Sequence, residues 1–138
     1  MSDYEIQARN FLKKANASMS ITDKHEVGRE GAWSYRLYRV TIKRESNLVN
    51  GRFNHYSFDF KSGIGNKSRP TAYDVLSCVE KFPVESDVWD FANAYGYTIN
   101  SKESYQRVCK VHKACQVEYR KLHDLFGDDL MKDLQKIR

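Results

Sequence analysis

No apolar run in the sequence approaches the roughly 20 residues that a membrane helix needs, so no helical span is expected. The opening stretch, Met1-Ser2-Asp3-Tyr4-Glu5, is acidic and has no apolar core segment, which predicts no secretory leader. Cysteine is scarce, with three residues and no Cys-x-x-Cys pair. An odd number of thiols in a chain without an export signal is expected to stay reduced, as in the cytoplasm. Proline occurs twice, and there is no repeat, low-complexity tract or linker, so one domain over 1–138 is expected. The four histidines (His25, His55, His112, His123) have no recognisable serine or cysteine signature beside them. Nucleophilic and acid–base catalysis therefore have little to build on, and a non-enzyme is expected.

What the chain does have is 41% hydrophobic residues and 13% aromatics, enough for a packed core and too many for disorder. Its net charge of +5 is unevenly spread. Residues 36–69 hold eight basic groups (Arg36, Arg39, Lys43, Arg44, Arg52, Lys61, Lys67, Arg69) against Glu45 and Asp59, so this segment carries more than the whole net charge. A local cationic surface points to an anionic partner, nucleic acid or an acidic protein face. The competing reading is a solvated strand face whose cations discourage edge pairing.

Ser2 and Glu5 have capping-box spacing, followed by an apolar stripe Tyr4, Ala8, Phe11, Leu12 and Ala15, which predicts an N-terminal helix. Met19 and Ile21 alternate with polar residues as in a short strand, and residues 25–33 read as a loop from which Trp33 returns to the core. Tyr38, Val40 and Ile42, then Tyr56, Phe58 and Phe60, alternate as two strands of a hairpin. Parity favours a three-residue loop, Val49-Asn50-Gly51, pairing Ile42 with Phe58 and Val40 with Phe60. After a Gly/Ser/Lys loop, Ala72, Val75, Leu76 and Val79 mark a helix that Pro83 ends. Ser86 is placed to cap the next helix, with stripe Val88, Phe91, Ala92 and Tyr95 and a Gly96 C-cap. Asn100 and Glu103 have capping-box spacing for a long helix to Phe126, stopped by Gly127 and followed by a turn or two carrying Leu130, Leu134 and Ile137. The expected fold is α+β: a small three-stranded antiparallel sheet packed on four to five helices, in the order α-β-β-β-α-α-α-α.

Cys109, His112 and Cys115, with Cys78 as a fourth ligand, invite a metal reading. On a helix, positions i, i+3 and i+6 fan over about 120°, too wide for one tetrahedral ion. Small core cysteines and one satisfied histidine explain the pattern better, so neither metal nor cofactor is expected. Gly63-Ile64-Gly65-Asn66-Lys67-Ser68 is like the tail of a phosphate loop, but Asn66 separates Gly from Lys and Pro70 follows. Arg107, Lys110, Lys113, Arg120 and Lys121 on the long helix read as its wet face, and would extend the hairpin's basic surface if both faced one way.

Tyr4-Glu5-Ile6-Gln7-Ala8 with Phe11-Leu12, Val40-Thr41-Ile42-Lys43-Arg44, and above all Pro70-Thr71-Ala72-Tyr73-Asp74-Val75-Leu76-Ser77-Cys78 resemble a family of short proteins of phages, prophages and mobile elements. Asp90-Phe91, Tyr95-Gly96-Tyr97 and Leu125-Phe126-Gly127-Asp128 extend the resemblance over nearly the whole chain. Such proteins include anti-CRISPR inhibitors. The resemblance implies a non-catalytic protein in the bacterial cytoplasm that binds a CRISPR–Cas effector complex and blocks nucleic-acid binding or activation. No membrane partner is implied. The expected contact residues are Lys43, Arg44, Arg52, Phe53, Lys61, Lys67 and Arg69; Tyr56 is a further aromatic candidate, better explained by core packing. The order of residues 3–81 is also similar to the double-stranded-RNA-binding domain, which makes a nucleic-acid module on the basic hairpin the alternative. The lysine cluster which that domain carries at its last helix is missing from Arg69-Pro70-Thr71-Ala72-Tyr73-Asp74.

Overall fold

The computed structural model describes residues 2–44, 55–65, 69–84 and 87–138. Helix α1 covers Asp3–Lys14, and the Ser2 hydroxyl accepts from the Glu5 N–H at 3.2 Å, as the spacing predicts. The Glu5 carboxylate does not complete the capping box. It accepts the Tyr73 N–H at 3.1 Å and the Arg9 Nε at 3.1 Å, and lies buried. Tyr73 stands in the first turn of α2 (Ala72–Cys78), where helical N–H groups lack internal partners and a carboxylate can accept from them. Tyr4, expected on the buried stripe, is 61% exposed and stacks on the Tyr73 ring instead.

The sheet has order β1-β2-β3, all antiparallel, with β1 at Ala17–Glu30, β2 at Trp33–Arg44 and β3 at His55–Gly63. The expected loop at 25–33 is mostly strand. A bulge between Asp23 and Glu26 absorbs the irregularity, with His25 at φ 56 and its N–H bound to the Asp23 carboxylate at 2.8 Å. β1 then continues to a tight turn at Gly31-Ala32, where Gly31 adopts φ 58. Trp33 does not return to the core; it pairs with Glu30 at the hairpin tip and is 44% exposed. The β2–β3 register pairs Ile42 with Tyr56, Val40 with Phe58 and Tyr38 with Phe60, two residues from the expected alignment. A slip of two keeps every side chain on its face, so alternation fixed the parity and could not fix the register. The expected loop Val49-Asn50-Gly51 lies outside the described residues.

Helix α2 takes Thr71 as N-cap, in a capping box with Asp74, and ends at Cys78, well before Pro83. Helix α3 (Val88–Tyr95) is capped by Asp87, and Ser86 lies outside the described residues; Gly96 closes the helix at φ 78 as expected. Helix α4 (Lys102–Gln135) starts one residue later than expected, with Ser101 and Ser104 forming the box. Short hydroxyls reach both partner N–H groups, so Asn100 and Glu103 are not needed. Gly127, at φ 80 and ψ 174, breaks α4, and the two stretches on either side complete the order α-β-β-β-α-α-α-α.

Two cores result. The larger holds Ala8, Phe11 and Leu12 of α1, Val40, Ile42 and Tyr56 of the sheet, Val75 and Leu76 of α2, and Leu122, Leu125, Phe126, Met131, Leu134 and Ile137 around the Gly127 break. The smaller holds Phe91 and Ala92 of α3 with Val108 of α4. Helices therefore cover one face of the sheet; Val27, on that same face beyond the bulge, is 67% exposed.

Candidate functional site

The residues expected to dock a partner have unequal fates. Arg52, Phe53 and Lys67 lie outside the described residues. Lys43 is exposed on the outer face of β2, in register with Ser18 and His55, and makes no ion pair among the described residues. Arg44 is no free cation. Its Nε donates to Ala15 O at 3.0 Å and its Nη1 to Leu125 O at 3.0 Å and Phe126 O at 3.5 Å. These carbonyls sit at the end of α1 and just before the Gly127 break, where intrahelical donors run out, so the guanidinium ties both helix ends to β2. Lys61 pairs with Glu30 and lies 4.9 Å from the Tyr35 ring; the Glu30 bond raises its pKa. Arg69 donates to the Ile21 carbonyl on the edge of β1. Tyr56 is buried in the core beneath Lys121.

Part of the cationic segment meets acids that the fold brings to it. Arg36 pairs with Asp23 at 3.1 Å, Arg39 with Asp59 at 3.3 Å, and Lys24 with Asp59 at 3.2 Å and Glu26 at 3.8 Å. Asp23 and Glu30, which meet Arg36 and Lys61, come from β1, outside the segment whose charge stood out, whereas Glu26 meets Lys24 of its own strand. Pairing sets Asp23 beside Arg36 of β2, and Glu30 reaches past β2 to Lys61 of β3, so a charge map along the chain overstated the cationic surface. Asp23 is held below the usual carboxylate range by the His25 N–H and by Arg36.

Cations without an ion pair among the described residues stand instead on α4. Arg107, Lys110, Lys113 and Arg120 are exposed, whereas Lys121 lies over the Tyr56 ring and 3.9 Å from Glu118. Arg107 and Arg120 each lie on the rim of a concavity. One, of about 370 Å³, involves Tyr97, Ser104 and Val111; the other, of about 330 Å³, involves Pro83, Tyr119 and His123. His123 Nε2 faces the Asp128 carboxylate across the Gly127 break.

Large aromatics are the second feature left in solvent. Both tryptophans are surface residues: Trp33 packs against Tyr35 at 5.2 Å and Trp89 against Tyr105 at 5.8 Å. Trp89 and Tyr105 are 57% and 40% exposed. At the hairpin tip, Gly28 and Gly63 lie in register on either side of Tyr35, and a Cβ on Gly28 would come within 2.4 Å of the Tyr35 ring. The ring is therefore able to lie down over β1 only because Gly28 has no side chain. Neither tryptophan was among the expected docking residues. A signal existed for Trp89, which stands about 100° around the helix from Val88 and so falls off the stripe that buries Phe91 and Ala92.

His112 is buried, edge-on to the Phe91 ring at 5.1 Å, as expected of a core histidine. Among the described residues no three of His, Cys, Asp and Glu are placed to hold a metal ion. Burial pushes the Cys115 thiol up, with Glu80 adding to the effect, which is the reverse of nucleophile activation. Comparison of the chain with protein-family models, with curated proteins and with solved structures finds no match.

Proposed function

We propose that the chain is a non-catalytic inhibitor from a phage or mobile element that docks on a bacterial defence complex, a CRISPR–Cas effector. By occupying the effector's surface it blocks nucleic-acid binding or activation. The observation that carries the binding half of this reading is the exposure of both tryptophans, each packed on a tyrosine. Tryptophan is costly to leave in water and is the residue most enriched among interface anchors. The defence-complex half rests on the resemblance to phage-borne proteins. A nucleic-acid module on the basic hairpin draws little support from the hairpin, where Arg36, Arg39 and Lys61 are already engaged, or from Arg69 beyond it, which is held by the Ile21 carbonyl.

The test is a pull-down of tagged protein from bacteria with an active CRISPR–Cas locus, with and without nuclease, paired with phage plating on the same strain. The expected result is a stoichiometric effector subunit that survives nuclease and is lost in Trp89→Ala or Trp33→Ala, together with restored plating. Nucleic acid alone, with every protein lost after nuclease, overturns the reading.

A further inference from the structure

The geometry points to a nucleic-acid backbone site on the outward face of α4, which we infer binds phosphates without reading bases. From Ser104 to Val117 the helix carries Arg107, Lys110 and Lys113 and no acidic residue, and Arg120 follows one turn on. Gln106, Lys110, Lys113, Ala114, Val117 and Arg120 are all exposed. At 1.5 Å per residue the four cations span about 20 Å of helix. α3 packs on the opposite side, through Phe91 and Val108, so its acids Asp87 and Asp90 do not face the row. Glu103 precedes the row, Glu118 reaches Lys121, and Asp124 lies beyond its end.

Three features favour nucleic acid over an acidic protein or a membrane. Lysine is depleted at protein interfaces, and the row holds no exposed aromatic, only Val117 at 39% exposure. An interfacial membrane helix must bury its apolar face in lipid, whereas the apolar face of α4 is already spent on Val108, His112, Leu122 and Leu125. A run of cations along one helix, with Lys110 and Lys113 at its centre, is what sequence-independent phosphate binding uses.

This inference stands apart from the docking reading, since it uses neither tryptophan and needs no protein partner. The test is fluorescence anisotropy of the full chain with a labelled DNA duplex of mixed sequence, about 20 base pairs long, between about 50 and about 200 mM salt. Four phosphate contacts predict a log–log salt slope of about −3.6, or roughly a hundredfold loss of affinity over that range. Lys110→Gln with Lys113→Gln is expected to lower the slope by about two, while Lys43→Gln leaves it unchanged. Circular dichroism of each variant separates lost binding from lost folding. No binding at the lowest salt overturns the inference. So does an equal effect of Lys43→Gln, or capture only by anionic vesicles or an acidic protein.

Discussion

The sheet body and the arm formed by α3 with the first half of α4 handle the same residue types in opposite ways. In the body, Arg36, Arg39, Lys24 and Lys61 meet carboxylates from another strand, Arg44 is consumed by carbonyls, and most large side chains of the helix-covered face lie inside, Val27 beyond the bulge excepted. In the arm, three buried residues form the core, Trp89, Tyr95, Tyr97 and Tyr105 stay in solvent, and Arg107, Lys110 and Lys113 find no acid among the described residues. A region that satisfies its own charges and apolar surface is built for stability. One that leaves them unsatisfied has surface to offer a partner, so the arm, together with the hairpin tip that exposes Trp33, is the place to look for binding.

Core truncations sharpen this contrast most. Leu134→Ala, at a fully buried position, is expected to cost about 2–5 kcal/mol in urea denaturation followed by a sheet signal. Phe91→Ala removes a larger side chain, yet the sheet midpoint is expected to move by less than half as much. Hydrogen exchange is expected to show α3 amides losing protection while β2 amides keep theirs. Equal midpoint shifts in the two variants would erase the distinction between the cores.

A second comparison sets two adjacent basic residues against each other. Arg44→Met strands the carbonyls of Ala15, Leu125 and Phe126, and is expected to cost about 2–3 kcal/mol. Lys43→Met is expected to stay within about 0.5 kcal/mol, as at an ordinary surface site. Matched losses would return Arg44 to the exposed surface.

Smaller effects come from two buried charges of the body. Burial alone would raise the Glu5 pKa, but the Tyr73 N–H, Arg9 and Thr71 outweigh it and hold the carboxyl below its usual value. A depressed folded-state pKa stabilises above the unfolded value and loses that contribution as pH falls through the folded one. Glu5→Gln is therefore expected to cost about 1–2 kcal/mol near neutrality and to flatten the acid limb of the stability curve. Lys81 is 3% exposed, with its ammonium on the Leu76 and Ile137 carbonyls, and burial lowers its pKa. Between that lowered value and the ordinary lysine range the unfolded chain holds more protons, so stability rises with pH there. Lys81→Met is expected to remove that rise, the smallest of these effects, in a pH series of thermal melts.

Element order, helix stripes and strand parity were legible in the residues because they follow from local periodicity, and Gly96 and Gly127 announced their helix ends. Element edges were less so: Ser101 and Asp87 took caps from neighbours able to make the same bonds. The extended β1 was hidden because Gly28 and Gly31 read locally as loop, and only pairing with Leu37, Arg36 and Tyr35 holds Glu26, Val27 and Gly28 in a ladder. The candidate site was least legible. Chain position reported where the cations are, while their free or paired state depended on which acids β1 brought opposite and which carbonyls Arg44 could reach. Electrostatic and hydrogen-bond partners separated by many residues are chosen by register and packing, and these are decided only when the strands and helices have come together.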